Sequence, residues 1–284
     1  MTEHTLEVPG AVLRYDVRTA PETTEPVLLM VGSPMGAEGF ATLAGHFPDR
    51  TVVTYDPRGV GRSTRTATGE STPDQHADDL YRLIRALGSG PVDIFASSGG
   101  AVNALALVAR HPERVRTLVA HEPPAAQALP DREHALAAVA GIHRTYQRDG
   151  FGAAMAKFIA VSGFRGEIPA GLADQPGPPP GAMGLPEGDD GSRDDVMFAQ
   201  NLITCTHYEH DFDALRAAST RIVIGVGAES VGEMAHRGGE AVAARLGGTP
   251  VTFPSHHGGF LGGEFGMAGD PEGFAKTLRE VLAG

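Results

Sequence analysis

The chain has 284 residues, 41% of them hydrophobic and 20% charged, with 23 basic against 35 acidic side chains and a formal net charge of −12. This composition fits a globular chain of one large or two ordinary domains and excludes wholesale disorder, while the acidic balance argues against a nucleic-acid partner. With one cysteine (Cys205), no apolar run near the ~20 residues of a membrane span and no signal-peptide pattern at the start, the sequence predicts a soluble, cytoplasmic protein without disulfides.

In chain order, residues 5–8 and 12–17 read as an antiparallel edge hairpin. The runs 27–31, 51–55 and 92–95 are short, mostly apolar and bounded by Gly, Pro or Asp, the pattern of strands buried on both faces of a parallel sheet. Between them, 73–87 places Leu80, Leu83, Ile84 and Leu87 at helical spacing and stops at Gly88. The alternation continues with a helix over 101–110, strands over 117–120 and 221–224, a helix over 234–246, a strand over 250–253 and a helix over 274–282. Strands alternating with helices predict an α/β layered domain. The interval 125–218 breaks the rhythm. It has helical stretches at 132–148, 152–161 and 194–202, interrupted by Gln175-Pro-Gly-Pro-Pro-Pro-Gly, which can be neither helix nor central strand. We therefore read 1–124 and 219–284 as a sheet-bearing core and 125–218 as a helical cap with a flap near 175–192.

The stretch that speaks most directly of chemistry is Ala96-Ser97-Ser98-Gly99-Gly100, between the strand 92–95 and the helix 101–110. A serine on a sharp strand-to-helix turn needs small residues two before and two after it, because strand and helix crowd together there. Ala96 and Gly100 meet that need for Ser98. Ser97 would need Phe95 and Gly99, and phenylalanine does not fit. The plain alternative is an incidental serine in a glycine-rich turn. The order strand, turn, helix favours Ser98 as a nucleophile, with the helix N-terminus aimed at developing negative charge. Asp56, Arg58 and the loop Gly59 to Ser63 lack the spacing and the lysine of a phosphate loop, and read as structural turn residues.

Together with Val31-Gly32-Ser33-Pro34, Tyr55 to Ser63 and His257-Gly258-Gly259-Phe260, taken in this order, the Ser98 motif makes the chain resemble a serine hydrolase of the α/β-hydrolase superfamily almost end to end. The resemblance implies an α/β-hydrolase fold: a mostly parallel, doubly wound sheet with an inserted helical cap. It implies an oxyanion hole made by the N–H groups of Ser33 and Gly99, although Val31 stands where the family pattern has histidine. It selects His257 over His256 as the general base, two residues before the small-aromatic pair Gly259-Phe260. The acid is less ordinary. The family's aspartate after the strand 221–224 falls on Ser230, which cannot make a charge-assisted hydrogen bond to an imidazolium. Glu229 lies one residue early. Glu122, just past the strand 117–120 and followed by Pro123-Pro124, holds a second location that some haloalkane dehalogenases use in this fold. Glu122 is the preferred acid and Glu229 the alternative.

Ser98, His257 and Glu122 together imply hydrolysis of a carboxylic ester, lactone or thioester through an acyl-enzyme. The same residues would serve C–C bond hydrolysis, acyl transfer or cofactor-free perhydrolysis. A ligand receptor would keep the fold without turnover, and the serine at position 230 is its best argument. No nucleotide fingerprint follows a strand, and His207 and His210 lack helical zinc spacing, so no cofactor or metal is expected and the expected partner is a small-molecule substrate. Phe151, Met155, Phe158, Phe164, Met183, Met197 and Phe198 are expected to give an apolar cavity in the cap or to pack it on the core, and His121 is a candidate pocket residue.

Overall fold

Period-two burial organises the centre of the molecule. In the computed structural model, which describes residues 1–284, Leu29 and Val31 pack to one side of their strand and Leu28 and Met30 to the other. The elements are β1 (Thr2–Val8), β2 (Ala11–Arg18), β3 (Leu28–Val31), α1 (Ala41–Gly45), β4 (Val52–Asp56), β5 (Thr64–Arg65), α2 (Pro73–Leu87), β6 (Val92–Ser97), α3 (Gly99–Arg110) and β7 (Val115–His121). They continue with α4 (Arg132–Ser162), α5 (Leu202–Thr206), α6 (Phe212–Ala217), β8 (Arg221–Gly227), α7 (Met234–Arg245), β9 (Val251–Phe253) and α8 (Pro271–Ala283). One sheet runs β1-β2-β4-β3-β6-β7-β8-β9, with β5 added on β2. The pairs from β4 to β9 are parallel, and β1 and β2 form the antiparallel edge.

Helices cover both faces. Leu80, Leu83 and Ile84 of α2 and Ala104, Leu105 and Val108 of α3 meet Leu29, Ile94 and Leu118 on one side. Leu43 of α1 and Phe274 and Leu278 of α8 meet Leu28, Phe95 and Phe253 on the other. The chain leaves β3 in one direction to form β4 and crosses back to place β6 on β3's other side. At such a switch in strand order the loops at the carboxyl ends diverge and open a crevice. The loops after β3 and β6, which carry Ser33 and Ser98, flank that crevice.

Helical elements fill the interval between β7 and β8. The helices expected at 132–148 and 152–161 are one run, α4, broken at Gly150, whose φ of 84° a side-chain-bearing residue rarely adopts. Tyr146, Phe151, Phe158 and Phe198 pack around one another as a separate apolar centre. The helix expected over 194–202 starts later and runs on to Thr206. It is a widened π turn, Met197–Asn201, capped by Asp195 Oδ1 on the N–H groups of Met197 and Phe198 and running on into α5.

The proline-glycine stretch lies along α4. A Cβ on Gly152 would stand 1.9 Å from Pro186 O, and one on Gly177 2.9 Å from Lys157 Cα. None of residues 175–192 borders the cavity that holds Ser98. Gly152→Ala should therefore lift the stretch off α4 and cost about 1–3 kcal/mol, a few degrees in Tm. Calorimetry checks this. An unchanged Tm would contradict it.

Candidate active site

The serine turn is built by close approach. Ser98 follows β6 with φ 56° and ψ −129°, a strained backbone for a residue with a side chain. Its N–H donates to His121 O at 3.0 Å, and its own carbonyl accepts from Ala101 N–H at 2.9 Å, which holds the turn. A Cβ on Gly100 would lie 2.4 Å from Val31 O, and one on Gly99 2.6 Å from Ser33 O. Only glycine lets strand and helix meet this closely. The N–H groups of Ser33 and Gly99 have no acceptor within the protein, so two backbone donors stand free beside Ser98. The Ser33 loop is itself held by Asp56, whose Oδ1 accepts from Ala37 N–H at 2.8 Å while Oδ2 takes Arg62 Nε–H at 2.7 Å. Arg58 is buried and pairs with Asp79 through both its Nε and Nη2. Both residues of the Asp56–Ser63 motif are thus structural.

His257 lies in the loop after β9 and Glu122 just beyond β7, 135 residues apart in sequence and 2.6 Å apart between Nδ1 and Oε2. The carboxylate is wholly buried and the imidazole is 38% exposed. With the carboxylate accepting, the proton sits on Nδ1 and Nε2 is left basic. The other oxygen, Oε1, accepts from Gly227 N–H at 2.8 Å and from the Ser230 hydroxyl. Burial pushes the Glu122 carboxyl up. The hydrogen bond and charge of His257, the nearby His121 and the Ser230 hydroxyl outweigh it and hold the group at about 2. A φ of 46° turns Glu122 out of the strand, and its N–H is anchored on Gly225 O at 2.9 Å.

Glu229 is exposed and makes no contact with His257. Its carbonyl, not its carboxylate, is engaged, by Arg165 at 2.7 Å. His256 turns away: its Nδ1 accepts from Gly258 N–H at 3.0 Å and Nε2 lies 3.2 Å from Ala268 O. His121 is no pocket residue. It is fully buried among Phe95, Phe253 and Phe274, and that burial pulls its imidazole down to about 3.

A cavity of about 350 Å³ joins these groups. Ser33, Ser98, Gly99, Asn201 and His257 line it together with Phe158, Ile159, Met197, Leu202 and Met234. Of the cap residues expected there, only Phe158 and Met197 reach the cavity. Phe151, Met155, Phe164 and Phe198 belong to the apolar centre around α4, and Met183 is exposed. Ser98 Oγ makes no hydrogen bond to the His257 ring, although both residues line the cavity. Reading the sequence missed two residues of this site. Ser230 was visible only as a misplaced acid, and nothing in the local pattern singles out Asn201.

A sequence profile for the alpha/beta hydrolase fold matches residues 25–164. The solved esterase of Thermogutta terrifontis superposes over 100% of this chain and 98% of its own, at 20% identity and a TM-score of 0.66. The chain has the α/β-hydrolase fold. The enol-lactonase of Burkholderia xenovorans LB400 superposes over 99% of this hydrolase-fold chain and 100% of its own, at 17% identity and a TM-score of 0.61. In sequence, the uncharacterized hydrolase YraK of Bacillus subtilis (strain 168) is 40% identical over 132 residues, 45% of this chain and about half, 47%, of that protein.

Within this hydrolase fold the Glu122 charge has a defined pH signature. Its folded value lies below the ordinary 4.5, so its contribution to stability is complete above that pH and is lost as the pH falls towards 2. Urea unfolding across this range should show the stability difference between wild type and Glu122→Gln shrinking towards acid. A difference independent of pH would mean that the carboxylate is not held ionised. Ser230→Asp should be poorly tolerated, since it would press a second buried carboxylate against Glu122.

Proposed function

We propose that the protein is a serine hydrolase that cleaves a carboxylic ester, lactone or thioester of a small, largely apolar substrate. The single observation that carries this reading is the Nδ1–Oε2 contact of 2.6 Å between His257 and the buried Glu122, with His257 lining the same cavity as Ser98. Ser98 Oγ attacks the substrate carbonyl and passes its proton to His257 Nε2. The N–H groups of Ser33 and Gly99 receive the developing oxyanion. Collapse of the tetrahedral adduct expels the alcohol or thiol, which takes the proton from Nε2, and leaves an acyl group on Ser98. Water then attacks that acyl group with His257 again accepting the proton; collapse of this second adduct breaks the acyl–Oγ bond, returns the proton from Nε2 to Ser98 Oγ and releases the carboxylic acid. Glu122 stabilises the imidazolium formed in each step. The apolar wall of Phe158, Ile159, Met197, Leu202 and Met234 suits an uncharged acyl or alkyl group. Similarity in fold to an esterase and an enol-lactonase supports the ester and lactone classes. The receptor alternative rested on the serine at position 230, and a Glu122 carboxylate on His257 weighs in favour of the hydrolase.

A fluorophosphonate probe should phosphonylate Ser98 in the wild-type protein, and p-nitrophenyl esters or lactones should be turned over. Ser98→Ala should abolish labelling and lower kcat/KM by about 10³-fold or more with Tm unchanged. Glu122→Gln should cost about 10²–10⁴-fold and Glu229→Gln almost nothing. Unchanged turnover in Ser98→Ala would overturn the reading, and the reverse order for the two glutamates would reassign the acid.

A further inference from the structure

The cap reaches the loop after β3 through one buried polar contact. Asn201 closes the widened turn, and its Nδ2–H donates to Ser33 Oγ at 2.7 Å. The other end of the carboxamide is fixed as well, since Oδ1 accepts from Cys205 Sγ at 3.2 Å. Burial pushes the Cys205 thiol up to about 12, so it keeps the proton it donates. The same Oδ1 and Sγ each lie 3.2 Å from where a Cβ on Gly99 would stand, so the amide also packs on the second free-N–H residue. Asn201 is 4% exposed and borders the cavity. Its neighbour Gln200 accepts from Ser71 N–H at 2.8 Å through Oε1. The π turn thus brings two successive cap residues onto the core, the kind of local irregularity that tends to mark functional positions.

We propose that Asn201 is a positioning residue for the reaction: by holding Ser33 and packing on Gly99 it aligns the two backbone donors, so the oxyanion site is complete only when the cap is seated. This inference rests on the hydrolase reading above. It places the contribution in the transition state, because the amide supports donors that act once negative charge has developed. A carboxamide that merely filled space would act on stability and substrate affinity.

The test is a set of variants assayed with p-nitrophenyl butyrate and with the fluorophosphonate probe on the full chain. Asn201→Ala should lose about 10–100-fold in kcat and a similar factor in the second-order rate of Ser98 labelling, with KM within about threefold. Asn201→Asp, the same shape with a negative charge beside the oxyanion, should lose more than the alanine variant. Ser33→Ala keeps the backbone donor and removes the amide's partner; it should match Asn201→Ala, and the double variant should fall no further. Labelling of wild type and Asn201 variants at one rate, an effect confined to KM, or an aspartate variant better than the alanine one would overturn the inference and leave the hydrolase reading standing. Absence of labelling in the wild type would overturn both.

Discussion

The burial of one charge constrains the whole site. Glu122 is completely enclosed, and an ionised carboxylate out of water is stable only where donors surround it. It has three: the His257 ring, the Gly227 N–H and the Ser230 hydroxyl. They come from the last residue of β8 and from the loops after β8 and β9, so satisfying one side chain at the end of β7 fixes how three neighbouring strand ends stand relative to one another. The same contacts set the tautomer of His257, on which its proposed service as a base depends. Two prolines immediately after Glu122, and its own left-handed backbone, limit the ways the carboxylate can be displaced.

On the other side of the crevice the constraint is steric. Val31 O and Ser33 O lie where side chains on Gly100 and Gly99 would be, so β3, its following loop and the start of α3 are in mutual contact. Asp56 ties that loop to the end of β4. The free N–H groups of Ser33 and Gly99 follow from this crowding: the loop and the helix N-terminus turn their donors towards the crevice, where strand order reverses and no further strand pairs with them. Backbone held in this way needs no reorganisation when charge develops, which is the property an oxyanion site requires.

Much of the fold was legible in the sequence because burial leaves a periodic trace. The runs at 27–31, 51–55, 92–95 and 117–120 are mostly apolar segments, and a parallel sheet covered by helices on both faces favours that pattern. The two-residue β5 and the short α1 and α6 carry no such trace, since five or six residues do not establish a helical period. The elbow was legible from Ala96 and Gly100, because a steric requirement restricts residue size at fixed spacing. The choice between Glu122 and Glu229 was legible only as a preference carried by the resemblance, since both stand near strand exits; burial and the contact with His257 single out Glu122. The cap was least legible. Phe151, Phe158 and Phe198 look alike in sequence, yet Phe158 borders the cavity while Phe151 and Phe198 pack in the centre around α4. The placement of 175–192 along α4 depends on the missing side chains of Gly152 and Gly177, and local pattern says nothing of their partner.

The direct test of the central interaction is the proton between His257 Nδ1 and Glu122 Oε2, read as a downfield imidazole resonance in proton NMR. We expect that signal in the wild type and in Ser98→Ala, since removing the serine leaves the pair intact, and its loss in Glu122→Gln and His257→Ala. A signal that survives Glu122→Gln, or that vanishes in Glu229→Gln, would show that another group holds the histidine and would contradict the account.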